Sequence, residues 1–434
     1  MDFELEYLKK AIKTNDTYQK RIKKQTLVDQ KLIDIVENFI KKYELVCYGG
    51  IAINNILPKD VQFYDYHIDI PDYDFFSTDA MAQAKELAKI FVEAGYNNVE
   101  AKSAFFHGTY KVFVNFIPIA DITQVGENMF SSVKKHSIKR EGIRYCDPIF
   151  LRMSMHQELS RPMGDTSRWE KIFQRLTLLN TYYPFEIIKN KISPSIPETR
   201  ENIETYKALR NLMIKNKIPL CGEYAMFLYS KTLSLKRMKQ KLSDKKIYQL
   251  AVYVENTNEI MSIIQSNIEN VTMTHHKIGY KYMKDFYTLE KDGQVFMHIF
   301  LTNSCISYNQ VSYRNKPINV CSIDAILSLY FGLIVTEHET LNIENLYFYC
   351  FMMYTIIQNK YNIDKDILKR FNLPCIGKHE TFEDIRKERN RKYESLKENK
   401  KSSDYEEWFL QFTPKKQLKM SKTRSITKSK NATK

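Results

Sequence analysis

An internal echo constrains this chain more than any other feature. Ile218-Pro-Leu-Cys-Gly222-Glu-Tyr-Ala225 repeats the pattern of Leu45-Val-Cys-Tyr-Gly49-Gly-Ile-Ala52, an apolar run that ends in glycine and opens a helix. Gly293-Gln-Val-Phe-Met-His-Ile-Phe300 answers Tyr110-Lys-Val-Phe-Val-Asn-Phe-Ile117, in a register that sets Val295 on Val112. Pro317-Ile-Asn-Val-Cys321-Ser-Ile323 answers Gly142-Ile-Arg-Tyr-Cys146-Asp-Pro148, each leading into an apolar helix. The spans from Gly49 to Cys146 and from Gly222 to Cys321 are nearly equal. Repeated spacing of this kind marks duplicated supersecondary structure. Two copies of one fold are therefore expected, and 434 residues leave room for them at roughly 100 to 200 residues per domain.

Local patterning gives each copy a mixed α+β character. Leu27, Leu32, Ile35, Val36 and Ile40 recur at helical spacing and predict an N-terminal helical segment over residues 1–44. Leu45–Cys47 reads as a short strand closed by Gly49-Gly50 and followed by a helix from Ile51. Tyr73–Ser77 reads as a second strand, and Thr78–Gly95 as a helix stopped by its glycine. A third strand, Tyr110–Ile119, is expected to end at Ala120-Asp121.

Composition narrows the class. With 43% hydrophobic residues the chain can fill packed cores, which excludes a largely disordered protein. The longest apolar runs, Ala325–Val335 and Tyr347–Ile357, fall short of a membrane span, and no secretory h-region follows the acidic start. Seven scattered cysteines, none in a C-x-x-C pair, read as reduced core thiols of a cytosolic protein rather than a disulfide frame or zinc site. The net charge of +15 predicts a field that draws polyanions. Eight basic and no acidic residues lie from Pro414 onward, a disordered cationic tail, and Lys378–Tyr405 reads as a solvated charged helix.

Chemistry concentrates in the first copy. Asp72-Tyr-Asp74 puts two carboxylates on one face at the start of a strand. Asp121, closing another strand, supplies a third if the strands are neighbours. Three carboxylates at strand ends suit a pair of Mg2+ or Mn2+ ions, the device that serves phosphoryl and nucleotidyl transfer. Gly49-Gly50, a pair in a chain with only 12 glycines, lets backbone N–H groups at a helix start approach a triphosphate.

The combination of strand, Gly-Gly, helix, D-x-D and a later strand-end Asp resembles the polymerase-β-type nucleotidyltransferases. Leu45–Ile53, Pro71–Ser77 and Val114–Ile122, continued by Asp147–Pro162 and Ser167–Lys171, are similar to the poly(A) polymerase catalytic subunit of large nucleocytoplasmic DNA viruses, the poxvirus type and its relatives. That resemblance implies an α+β fold of two tandem nucleotidyltransferase-like domains, the second degenerate. The corresponding boundaries are 1–44 for the helical segment, 45–190 for the catalytic domain, 191–373 for the degenerate one and 374–434 for the charged helix and basic tail.

It further implies template-independent addition of AMP from ATP to RNA 3′ ends, with two Mg2+ or Mn2+ ions on Asp72, Asp74 and Asp121. Gly49 and Gly50 would face ATP, and Arg161, Arg168 and Lys171 would contact its triphosphate or the RNA backbone. The partners implied are the RNA 3′ end and poly(A), with either a homodimer or a separate processivity subunit, and no membrane. The implied setting is cytoplasmic, in the host cytoplasm or a viral factory, with packaging in virions left open.

In the second copy Tyr248–Glu255 carries no aspartate, Glu223 replaces Gly50, and the Val112 register sets Ser304 on Asp121, so no metal pair is expected there. Asp147-Pro148 and Ser322 read as helix caps, and His275-His276 as a surface pair. Glu383-Asp384-Ile-Arg386 lacks the spacing of a nucleotide-selecting motif. Two rivals remain: another RNA nucleotidyltransferase, terminal uridylyl or CCA-adding, and a non-catalytic RNA-binding subunit.

Overall fold

A computed structural model describes residues 2–27, 30–66, 68–185, 196–232, 248–358 and 370–415. The chain divides into two units, Met1–Asp147 with Thr381–Lys434, and Pro148–Glu380. Unit 1 begins with α1 (Asp2–Leu27) and α2 (Gln30–Lys42), whose stripe of Leu32, Ile33, Val36, Phe39 and Ile40 is buried. Then follow β1 (Val46–Cys47), α3 (Gly49–Ile56), β2 (Tyr73–Ser77) and α4 (Ala80–Glu93). Next come β3 (Val99–Ser103), β4 (Thr109–Val114), β5 (Ile117–Gln124), α5 (Glu127–His136), β6 (Ile138–Arg140) and β7 (Ile143–Tyr145). The strands lie in the order β3-β4-β5-β2-β1-β7-β6. The pairs β2/β5 and β1/β7 are parallel, and the other pairs antiparallel. Ala84, Leu87, Ala88 and Phe91 of α4 are fully buried where that helix packs on β3, β4 and β5.

One expected strand is in fact a hairpin. The run from Tyr110 breaks at Asn115 and Phe116, both at positive φ (51° and 68°), and returns as β5. Two left-handed residues match the twist of a tight hairpin; Asn115 suits that conformation, but nothing about Phe116 announces it. Asp121 consequently lies inside β5 rather than at a strand end.

Unit 2 contains α6 (Pro148–Leu159), α7 (Trp169–Tyr182), α8 (Arg200–Lys215), α9 (Glu223–Thr232), β8 (Leu250–Val254) and α10 (Thr257–Gln265). It continues through β9 (Val271–His276), β10 (Phe286–Lys291), β11 (Gln294–Leu301), β12 (Ile306–Tyr313) and β13 (Lys316–Cys321). It ends with α11 (Ile323–Thr336), α12 (Ile343–Gln358) and β14 (Cys375–Ile376). Its strands form the sets β8-β11-β10-β9 and β13-β12-β14. Leu220 joins the sets, bridging Val252 in antiparallel and Val320 in parallel sense. Read through Leu220, the order β9-β10-β11-β8-Leu220-β13-β12 repeats that of unit 1, with the same sense at every pairing. Unit 2 starts at Pro148, upstream of the expected boundary at 190, because α6 packs along α11.

Buried polar groups tie that packing. His156 Nδ1 lies 2.8 Å from Asp324 Oδ1, His156 Nε2 lies 2.8 Å from the Tyr354 hydroxyl, and Arg370 Nε donates to Asp324 Oδ2 at 2.9 Å. Burial alone would raise the Asp324 carboxyl; the charge of Arg370 and hydrogen bonds from His156 and Arg370 outweigh it and hold the group well below the usual carboxylate range. The expectation of seven reduced thiols needs correcting. Cys305 and Cys375 form a disulfide, while Cys47, Cys146, Cys221, Cys321 and Cys350 are free and buried. The bridge follows from topology: Ser307 of β12 is the register partner of Cys375, which brings two sequence-distant cysteines side by side.

After residue 380 the chain belongs to unit 1. Thr381 and Asp384 form a reciprocal capping box for α13 (Phe382–Leu396), which explains the acidic pair that a motif search would seize on. Arg389 on α13 donates to Ala104 O (2.9 Å) and to Trp408 O (3.1 Å). Beyond α14 (Ser403–Phe409), β15 (Gln411–Phe412) pairs antiparallel with β3. The charged stretch is thus the largely exposed helix expected, fastened to unit 1 through Ile385 and Arg389. The basic tail from 416 lies outside the described residues.

Candidate active site

The parallel register of β2 and β5 sets Asp74 directly opposite Asp121, and Asp72 lies just before β2, close enough to Asp121 to feel its charge. The turn from β1 into α3 closes over them. Gly49 has φ +67°, which favours glycine, and a Cβ built there would stand 2.9 Å from Asp74 Oδ2, so an added carbon would displace that carboxylate. Tyr48 N–H donates to Asp74 O at 2.9 Å, locking that turn to the strand. Gly49 and Gly50 are the first two residues of α3, and no side-chain cap from Tyr48 covers the helix start. First-turn N–H groups without such a cap suit an anion.

Electrostatics at the site are those of crowded acids. Desolvation first, and then the Asp121 carboxylate, push Asp72 up to about 6 against the pull of Lys111; the side chain nevertheless keeps an exposed edge. Lys111 stands opposite Asp121 on β4 and donates to its Oδ2. Asp121 Oδ1 is buried and has no hydrogen-bond partner. An orphaned carboxylate oxygen among carboxylates is a hard-oxygen donor set of the kind Mg2+ and Mn2+ take. Among the described residues no three His, Cys, Asp or Glu side chains are already gathered as a metal centre. The residue types and the free acceptor fit such an ion, with Lys111 rather than a third acid beside Asp121.

Several supporting residues escape sequence reasoning. Asn54, fully buried on α3, accepts from the N–H groups of Phe63 (2.8 Å) and Tyr64 (2.9 Å) and donates to Tyr66 Oη (3.1 Å). Asn55 donates to the Tyr145 hydroxyl, and the Tyr73 hydroxyl donates to Glu37 Oε1, both at 2.9 Å. Asn54 thus anchors the loop that delivers Asp72. Two asparagines inside the apolar run Ile51–Leu57 are the available signal; they are too polar for a core helix unless they bond to something. Lys111 is signalled only by alternation along β4, which requires the hairpin to be recognised.

The remaining candidates lie in unit 2. Arg161 donates to Asn303 Oδ1 at 3.1 Å, its Nε is buried without a partner, and burial lowers its pKa. Arg168 pairs with Glu158 at 3.6 Å, and Lys171 is an exposed position on α7. His275 bonds Asp285 (3.0 Å) and His276 bonds Thr288 (2.9 Å), so that pair is satisfied locally. The Ser322 hydroxyl caps α11 through Ala325 N–H.

Unit 2 repeats the hydrogen-bond pattern of the site without its acids. Cys221 N–H donates to Ala251 O at 2.8 Å, as Tyr48 does to Asp74. A Cβ on Gly222 would meet Ala251 at 2.9 Å, as one on Gly49 would meet Asp74. Ala251 in turn faces His298 in the parallel β8/β11 register. His298, not Ser304, therefore occupies the Asp121 place; the expected register slips by one strand because it counts the β4–β5 hairpin as a single strand. Glu223 accepts from the Tyr349 hydroxyl, so its carboxylate is held within the unit.

Comparison with known proteins shows what this chain is similar to. Residues 34–165 match the family described as Poly(A) polymerase catalytic subunit, which takes in Asp72, Asp74, Asp121, Gly49, Gly50 and Arg161. More particularly, 180 residues are 32% identical to a protein named as a poly(A) polymerase catalytic subunit of Acanthamoeba polyphaga mimivirus, covering 40% of this chain and 30% of that protein. A counterpart from African swine fever virus is 28% identical over 205 residues, 43% of each chain. The match thus spans less than half the length of these relatives. The crystal structure of the Megavirus polyadenylate synthase superposes with a TM-score of 0.76 at 20% identity, covering 98% of this chain and 90% of that one, so the mixed α+β fold is shared.

Proposed function

We propose that this chain is a template-independent polynucleotide adenylyltransferase that adds AMP from ATP to RNA 3′ ends. The observation that carries the reading is the register of Asp74 opposite Asp121, with the Gly49 turn packed against the Asp74 carboxylate. In the reaction the RNA 3′-hydroxyl oxygen attacks the α-phosphorus of ATP. A phosphodiester forms, the bond to the oxygen bridging to the β-phosphate breaks, pyrophosphate leaves, and the hydroxyl proton is released to solvent. Asp72, Asp74 and Asp121 would hold two Mg2+ or Mn2+ ions, which when bound supply charge neutralisation and Lewis acidity. The backbone N–H groups of Gly49 and Gly50 receive phosphate oxygens at the start of α3. Asn54 keeps the loop before Asp72 in place, and Lys111 holds Asp121 Oδ2, leaving Oδ1 without a hydrogen-bond partner. Arg161, Arg168 and Lys171 stand as the basic candidates for phosphate contact.

Unit 2 is read as a degenerate copy of the same nucleotidyltransferase fold, supported by its strand order and by Ala251 and His298 in place of the acids. On this reading the partners are the RNA 3′ end and its poly(A) product, with processivity from a second copy or a separate subunit, in a cytoplasmic setting. Among the described residues no helix is long and apolar enough to cross a membrane.

Extension of a labelled oligo(A) primer with each NTP in turn tests the activity: ATP alone is expected to support a long ladder. Preference for UTP, addition limited to C and A, or no extension with any NTP would overturn it. Asp74→Ala and Asp121→Ala should each reduce extension by about a hundred- to a thousandfold, in the range removed when an electrostatic group is lost, while RNA affinity survives. Retained extension in either would remove that carboxylate from the site.

A further inference from the structure

Unit 2 carries a cavity of about 280 Å3 that the reaction above does not use. That volume sits near the lower end of ordinary ligand pockets, at about 300 Å3. Its lining includes Arg210, Arg314 and Lys316 together with Tyr206, Tyr224 and Tyr313, and no carboxylate is among its described lining residues. Arg210 lies over two rings at once, 5.5 Å from the Tyr206 centroid and 5.5 Å from that of Tyr224. Its Nε is buried and has no hydrogen-bond partner. Phe227 and Tyr248 back the wall, with Phe227 stacked on Tyr224 and on Tyr248 at 5.7 Å each.

The β12–β13 hairpin contributes Tyr313, Arg314 and Lys316 to the lining and turns at Arg314 and Asn315, both left-handed (φ 50° and 59°). An arginine occupies the first of these positions, where turn chemistry favours asparagine or glycine. The turn carries Arg314 and Lys316 to the rim as exposed side chains. Arg210, with its unpartnered Nε, and the exposed Arg314 and Lys316 suit a phosphate, and ring walls with hydroxyl edges accept a flat heterocycle.

We infer that this cavity binds one nucleotide of a single-stranded RNA, its phosphate on Arg210, Arg314 and Lys316 and its ring against the tyrosines. The site rests on the RNA-extending reading above for the identity of its ligand. Through it the degenerate copy, which has no acids for chemistry, serves to hold the strand. Sequence-tolerant stacking plus backbone charge is the established way proteins hold single strands.

The test is fluorescence anisotropy of the full chain with a labelled oligo(A) 15-mer across a salt series, and with a fluorescent ATP analogue. Arg210→Gln/Lys316→Gln is expected to raise the Kd for RNA about tenfold. The slope of log Kd against log salt should fall by about 0.7 for each phosphate contact removed. Arg314→Gln/Lys316→Gln touches only exposed side chains and should weaken RNA binding in the same direction without moving the melting temperature. Lys277→Gln/Lys401→Gln removes equal charge elsewhere and should stay within about twofold of the parent.

The inference is overturned if both cavity variants stay within twofold of the parent, or if the control loses as much as they do. It is also overturned if ATP affinity falls while RNA affinity holds, which would make the ligand a free nucleotide. Primer extension by the unsubstituted chain is run alongside. Its failure would remove the adenylyltransferase reading, and the affinity comparison would still decide the cavity.

Discussion

Gly49 shows how much a single position can demand. Its φ of +67° is strained for any L side chain, and its missing Cβ leaves room for Asp74 Oδ2. Gly49→Ala should cost about 1–2 kcal/mol for the left-handed backbone and also displace Asp74, so extension should collapse beyond what the lost stability explains. Gly95→Ala, likewise at positive φ (+101°) but with open space around the added carbon, should lower the melting temperature and leave extension intact. Equal activity losses in the two would argue that strain, not the Asp74 contact, is what matters. At this scale the sequence is informative where chemistry needs rare combinations: Asp74 does face Asp121 across two strands, with Gly49 beside Asp74. Asn54 and Lys111 are hidden in it, because a buried asparagine and a cross-strand lysine acquire meaning only from partners that folding brings near.

Among elements, hydrophobic periodicity identifies α2, α4 and β2, whereas turn conformation and edge pairing are invisible to it. The β4–β5 hairpin escapes because its turn uses Phe116, and β15 because two residues carry no periodic signal. β15 nonetheless covers an open edge. Ser103 N–H donates to Leu410 O at 3.0 Å, the Ser103 hydroxyl donates to Trp408 O at 2.9 Å, and Leu410 is buried. An unpaired edge strand invites foreign pairing. A chain stopped after Phe409 should therefore show fast amide exchange at Ser103 and a greater tendency to aggregate, with stability lowered by about 1–3 kcal/mol, the cost of a few unsatisfied backbone groups and lost burial. A chain stopped after Lys415 loses only the tail and should keep Ser103 protected. Fast exchange in both would show that the tail, not β15, guards the edge. The disulfide is out of reach for a related reason: Cys305 and Cys375 are seventy residues apart, and spacing alone cannot pair them.

At the scale of the molecule the repeat is legible, since strand order and glycine placement recur, but its register and its boundaries are not. The two units should also answer acid differently. His298 is buried in unit 2, where desolvation lowers its pKa to about 4; burial likewise lowers that of His156. A base depressed on folding takes up its proton only on unfolding, so stability is complete above about 6.5 and drains away as pH falls toward 4. At about 1.4 kcal/mol per pH unit, His298 alone should remove about 2 kcal/mol from unit 2 between pH 7 and pH 5. The described histidines of unit 1, His107 and His136, are exposed. Calorimetry at pH 5 should accordingly resolve a lower transition for unit 2, and His298→Gln should flatten its pH response; an unchanged slope in that variant would reject the assignment. Unit 1 has a different peculiarity, being closed by a strand that arrives last. Roughly 300 residues separate Ser103 from its partner strand, which at about 5–20 residues per second of synthesis means on the order of 15 to 60 s. For that time on the ribosome the half-made sheet carrying the three aspartates must wait with one edge bare, so whatever shelters nascent chains acts on this protein at Ser103.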